Sequence, residues 1–127
     1  MVLTDLPRLL PLLERNIALN RCPPAAVTAA PLDWCAPDVA TLRPPFDLVL
    51  ASDVLYQLHV LPAFVSTLRA LCGPATEVLL SNEHRPALPF SPRLFLQAGF
   101  AVDAVPWDDL HPEWRSDDIQ VYRLTLV

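Results

Sequence analysis

Glycine is almost missing from this chain: Gly73 and Gly99 are the two in 127 residues. Neither stands at a strand-to-helix turn near the start, so no glycine-rich backbone cradle for a phosphate or a cofactor is legible. Lysine is absent altogether. The nine bases are all arginines against fourteen acids, and a net charge of -5 leaves no basic stripe for nucleic acid. Cys22, Cys35 and Cys72 are widely spaced without a C-x-x-C, which disfavours a disulfide framework and favours a reducing compartment. His59, His84 and His111 have no metal-ligand spacing, so no metal is expected. No apolar run approaches the ~20 residues of a membrane span. Asp5 and Arg8 around the first apolar run do not fit a secretory signal, and no membrane partner is expected. There is no P-loop, and Ser52 and Ser81 follow strand-like runs without a G-x-S-x-G elbow, which argues against a hydrolase.

What is present is apolar content of 53%, enough for one domain over residues 1–127 that buries about two-thirds of its unfolded surface. Seven of the fifteen prolines fall in Pro23-Pro24, Pro44-Pro45 and the stretch from Pro86 to Pro92, where they punctuate periodic segments and mark loops. Residues 2–5 read as a short strand ending in Asp5, and residues 7–20 as a helix with Leu9, Leu12, Leu13 and Ile17 on one face and Pro11 disturbing its start. Residues 25–32 read as a strand ending in Asp33-Trp34. The nearly continuous apolar run 46–52 has the character of a strand buried on both faces of a parallel sheet. A helix over residues 59–71 follows, with Leu61, Phe64, Val65 and Leu68 inward and Gly73-Pro74 as its stop. Residues 77–81 form the next strand, 91–98 a helix closed by Gly99, 100–105 a strand and 119–127 the last strand.

That alternation predicts an α/β fold with a largely parallel sheet. The final two strands are joined by the acidic, aromatic segment 106–118 without a crossover helix, so they pair antiparallel. Asp5, at the end of a strand and followed at once by a helix, occupies the position from which doubly wound proteins hold the ribose hydroxyls of a nucleotide-like cofactor; capping that helix is its alternative role.

The acid-terminated first strand, Leu32-Asp33-Trp34, the run from Phe46 to Tyr56 and the antiparallel close together resemble the seven-strand methyltransferases that use S-adenosylmethionine. Asp53-Val54-Leu55-Tyr56 is similar to the D-x-x-Y signature of the methyltransferase-like protein-lysine methyltransferases. Asn82-Glu83-His84-Arg85 falls where that family carries an aromatic-Glu-x-Arg segment, with asparagine in place of the aromatic. The stretch from His111 to Ile119, H-P-E-W-R-S-D-D-I, is similar to that of the branch modifying valosin-containing protein.

The resemblance implies a Rossmann-like seven-strand fold and a protein substrate, including an AAA ATPase of the valosin-containing type, methylated on lysine in the cytoplasm or the nucleus. In the family a first strand and an E-x-G-x-G-T-G loop precede the segment that opens this chain, and that strand lies centrally in the sheet. The expectation is therefore an N-terminally truncated chain, lacking the first, central strand, whose residues 2–5 and 46–52 flank the missing position, and which binds S-adenosylmethionine weakly or not at all.

By the same resemblance Asp5, Asp33, Trp34 and Ser52 belong to the cofactor, Trp34 against the adenine face. A plain core tryptophan is the alternative. Asp53 would orient the acceptor amine and Tyr56 wall its channel, where cation–π attraction favours alkylated ammonium; a capping acid beside a core tyrosine is the alternative. Glu83, Arg85, Trp114, Arg115 and Asp118 would form the substrate-side rim, or else a solvated charged loop. Set against the enzyme is a non-enzymatic reading: an inactive isoform or pseudoenzyme that docks to the family's protein partner.

Overall fold

The computed structural model describes residues 1–84 and 90–127. These gather into two compact units, Met1–Arg43 and Pro44–Val127. The described strands form a two-stranded sheet in the first unit and a four-stranded sheet in the second.

In the first unit, β1 (Val2–Asp5) pairs in parallel with β2 (Thr28–Pro31), Asp5 opposite Pro31. The Leu32 N–H donates to the Asp5 carbonyl, 2.9 Å, and carries the ladder one step further. Between the strands lie a 3-10 turn, Pro7–Leu9, and α1 (Leu10–Leu19). Each begins within two residues of a proline, whose missing N–H is harmless in a first turn. Pro11 thus splits the expected single helix into a tight turn and a regular one. β2 is shorter than residues 25–32 because residues 24–26 are spent in a turn in which Ala26 N–H reaches the Pro23 carbonyl, 2.8 Å.

The second unit holds a four-stranded sheet in the order β3-β4-β6-β5, with β3 (Phe46–Ser52), β4 (Cys72–Glu83), β5 (Phe100–Ala104) and β6 (Ile119–Leu126). β3 and β4 are parallel, whereas β6 returns between β4 and β5 and is antiparallel to both. Across the described residues two pairings are parallel and two antiparallel, and both antiparallel ones are made by β6, the C-terminal strand, which runs against β3, β4 and β5. β1 and β3 are not paired with one another.

Residues opposed in a ladder share a face. Val49, Val78, Leu124 and Val102 fall on one face, and Leu48, Leu50, Leu79 and Arg123 on the other. α2 (Leu61–Leu71) and α3 (Arg93–Gln97) cover the first face through a relay of rings. Phe64 meets Phe95 edge-on at 6.4 Å, Phe95 meets Phe90 at 5.9 Å, and Phe90 stacks on Tyr122 at 4.0 Å. Val78, Leu80, Phe95, Phe100 and Leu124 are buried beneath them.

The run 46–52 is not buried on both faces: Leu48 is 50% and Leu50 66% exposed. β3 is an edge strand of its sheet among the described strands, so apolar composition alone does not bury it. Gly73-Pro74 does not stop α2 in a loop either. The helix passes directly into β4, whose early residues absorb the turn through an irregular register between Phe46 and Leu48, while the Gly73 N–H donates to Thr76 Oγ1, 2.8 Å. Burial at this junction pushes the Cys72 thiol up to about 11, against a smaller opposing pull from Arg69, so it remains protonated and unreactive at neutral pH. Gly99 does close α3, at φ +85, a backbone region open to glycine without penalty.

Candidate functional site

The parallel strands β1 and β2 bring Asp5 and Asp33-Trp34 to one edge of their sheet. Asp5 Oδ1 accepts the Leu6 N–H at 2.7 Å, and the 3-10 turn that follows has no side-chain cap, so Asp5 does not cap it. Asp33 Oδ1 accepts the Cys35 N–H at 2.9 Å, and its carbonyl accepts the Ala36 N–H at 3.1 Å. This local turn holds Trp34 half-buried directly after β2. An ionised carboxylate has four acceptor positions, so each acid keeps acceptor capacity beyond these bonds. The chemistry of this edge suits the sugar and base of a nucleoside. A backbone cradle for the amino-acid end of the cofactor is not found among the described residues, which hold no glycine in the first unit.

In the second unit β3 and β4 end side by side, Ser52 opposite Ser81. The Asp53 N–H donates to the Ser81 carbonyl at 3.0 Å, and the Ser81 hydroxyl donates to Ser52 Oγ at 2.9 Å. Asp53 itself takes φ +50. Leu55 is buried, which pins the middle of the D-x-x-Y segment, while Tyr56 is 51% exposed. Ser52, Asp53, Ser81, Asn82, Glu83 and Ile119 line an open depression of about 240 Å³ at this edge. The structure thus brings Ser52, Asp53 and Glu83 together, and adds Ser81, Asn82 and Ile119, which sequence reasoning did not select for a site. Their signal was position: each is near the end of a strand that runs to the edge where Asp53 emerges. Asn82, in the place of the family's aromatic, is buried, and its amide donates to the Glu83 carbonyl at 2.8 Å.

The remaining rim candidates lie on the segment between β5 and β6. Arg115 donates to the Trp107 carbonyl at 3.0 Å, sits 4.8 Å from the centre of the Trp107 ring and lies 3.5 Å from Asp108. Its guanidinium braces this loop. The Asp118 carbonyl accepts the His84 N–H at 2.6 Å and ties the loop to the end of β4. Trp114 is 80% exposed. Arg85 lies outside the described residues. No described helix is long and apolar enough to cross a membrane.

Solved structures with a similar fold include the O-methyltransferase NcsB1 in complex with S-adenosyl-L-homocysteine, with a TM-score of 0.73, 15% identity, and coverage of 99% of this chain and 42% of that one. The glycopeptide N-methyltransferase MtfA complexed with sinefungin gives 0.71 at 12% identity, covering 99% of this chain and 76% of its own. At such identities they speak to the fold, that of Rossmann-like S-adenosylmethionine-dependent methyltransferases. In sequence the chain is 32% identical over 83 residues to EEF1A lysine methyltransferase 3 of Xenopus tropicalis, covering 65% of this chain and 37% of that protein. The Mus musculus counterpart matches equally, over 35% of its length. The chain therefore spans about a third of the length of these curated relatives. A family model described as lysine methyltransferase matches residues 1–95, from β1 through the D-x-x-Y segment and β4. The chain belongs to the lysine methyltransferase family.

Proposed function

We propose that this chain carries the acceptor end and the nucleoside-binding edge of a protein-lysine N-methyltransferase that uses S-adenosylmethionine. The observation that carries the reading is Asp53, turned into a left-handed conformation where β3 ends, beside the depression it shares with Ser81 and Glu83. S-adenosylmethionine supplies an electrophilic methyl on a sulfonium and leaves as a neutral thioether. The acceptor must arrive as a neutral amine with its lone pair in line with that methyl. The Asp53 carboxylate accepts a hydrogen bond from the amine N–H and so orients the lone pair, while the Tyr56 ring walls the channel and favours the alkylated ammonium that results. In the first unit Asp5 takes the ribose diol, Trp34 the adenine face, and Asp33 supports the nucleoside from the end of its strand.

Two observations point to different acceptors. The curated relatives are named for EEF1A, whereas the segment from His111 to Ile119, beyond the residues that the family model matches, resembles the branch acting on valosin-containing protein. The test joins the segment of the Xenopus tropicalis relative that precedes its matched region to Met1 of this chain, and supplies methyl-tritiated S-adenosylmethionine with EEF1A or valosin-containing protein. Label on one of these proteins, absent when Asp53 is replaced by alanine, is the expected result. Failure to label either, with the cofactor bound, favours the non-enzymatic docking alternative.

A further inference from the structure

Three non-glycine residues among those described have positive φ. Two of them close helical turns: Arg43 ends the 3-10 turn Ala40–Leu42, and Arg21 follows α1. Left-handed residues are routine there. Asp53 has no such reason. It ends a strand, and the next helix begins eight residues on, at Leu61. Aspartate tolerates this region better than most side chains, so the bias against it is small, of the order of a single hydrogen bond.

Two of the contacts at this turn come from one residue of the neighbouring strand. The Ser81 carbonyl holds the Asp53 N–H at 3.0 Å, and the Ser81 hydroxyl holds Ser52 Oγ at 2.9 Å. The two contacts grip consecutive residues, one through the main chain and one through the side chain, at the point where β3 leaves its ladder. We infer that Ser81, paired with Ser52, is a positioning residue that holds Asp53 in its left-handed conformation and thereby aims the carboxylate at the acceptor; the second half of this inference rests on the methyl-transfer reading. Both hydroxyls sit on the sheet face that also carries Leu50 and Leu79, away from the packed core, so either can be removed without opening a cavity.

The test is amide hydrogen exchange of the isotope-labelled chain followed by NMR. Ser81→Ala and Ser52→Ala should each lower protection of the Asp53 amide several-fold, about tenfold at most, the range of one net hydrogen bond. Amides in the middle of β3 and β4 should not change. The double variant should lose no more than either single one, because both act through one bond. Ser81→Thr, which keeps a hydroxyl and suits a strand, should restore protection. Unchanged Asp53 protection in both alanine variants, or losses that add, would overturn the inference.

The same variants, built into the completed chain with EEF1A as acceptor, should lower kcat in step with the lost protection and leave the KM for S-adenosylmethionine alone. If protection falls as described while no version transfers methyl, the positioning by Ser81 stands and the methyl-transfer reading fails. Normal turnover in Ser81→Ala despite lost protection would show that Asp53 is not aimed by this pair.

Discussion

Asp53→Ala in the completed chain is expected to lower turnover about 10²-fold at saturating cofactor while leaving cofactor affinity within about twofold, the scale on which loss of an aligned reacting geometry acts. Tyr56→Ala removes the ring, so it should move in the same direction by less, roughly fivefold, whereas Tyr56→Phe, which keeps the ring, should change little. Asp5→Ala should do the opposite, weakening the cofactor and sparing turnover once the cofactor is saturating. Because Asp5 Oδ1 also accepts the Leu6 N–H, Asp5→Asn is the control that retains an acceptor for that bond. Stopped-time kinetics over a matrix of cofactor and acceptor concentrations separates the two effects. Equal losses of cofactor affinity in the Asp5 and Asp53 variants, with turnover intact, would contradict the division of roles.

The second large effect concerns the cofactor itself. On the proposed reading the 127-residue chain offers carboxylate and aromatic groups for the nucleoside, but no glycine-lined backbone among the described residues for the amino and carboxylate groups of the methionine end. Hydrogen bonds to such charged groups contribute about 1.5–3 kcal/mol each. Losing two of them corresponds to roughly 10²-fold or more in affinity. Titration calorimetry should therefore find the unextended chain at least that much weaker for S-adenosylmethionine than the chain joined to its relative's preceding segment. Low-micromolar binding by the unextended chain would mean that other residues hold the methionine end.

How much of this was legible in the sequence differs by element. The strand at residues 2–5 and the strand at 46–52 read correctly to the residue, because each is a short apolar run bounded by an acid or a proline. The C-terminal antiparallel pair was legible from the absence of a crossover helix. The exposure of Leu48 and Leu50 was not, since composition describes what a strand could bury and the sheet order decides what it does bury. The length of β4 was hidden because Gly73 and Pro74 look like a stop, yet both are accommodated where the strand begins beside Phe46. In the candidate site, Asp53 stood out through its neighbours Val54, Leu55 and Tyr56. Ser81 did not, because its importance lies in a cross-strand bond to Ser52, 29 residues away, that no local pattern encodes. Arg115 was read as a rim residue from its motif, and its contacts with Trp107 and Asp108 in the same loop were not legible there.

The central claim is that methyl is transferred to a lysine side chain at the edge where Asp53 emerges. Peptide mass spectrometry of EEF1A and of valosin-containing protein, after incubation with the completed chain and trideuteromethyl S-adenosylmethionine, tests it most directly. Residues 1–127 contain no lysine, so they contribute no methyllysine of their own. The account predicts deuterated methyl groups on a lysine side-chain nitrogen of one acceptor, lost with Asp53→Ala. Label on another residue type, or methyllysine that persists undiminished in Asp53→Ala, would contradict it.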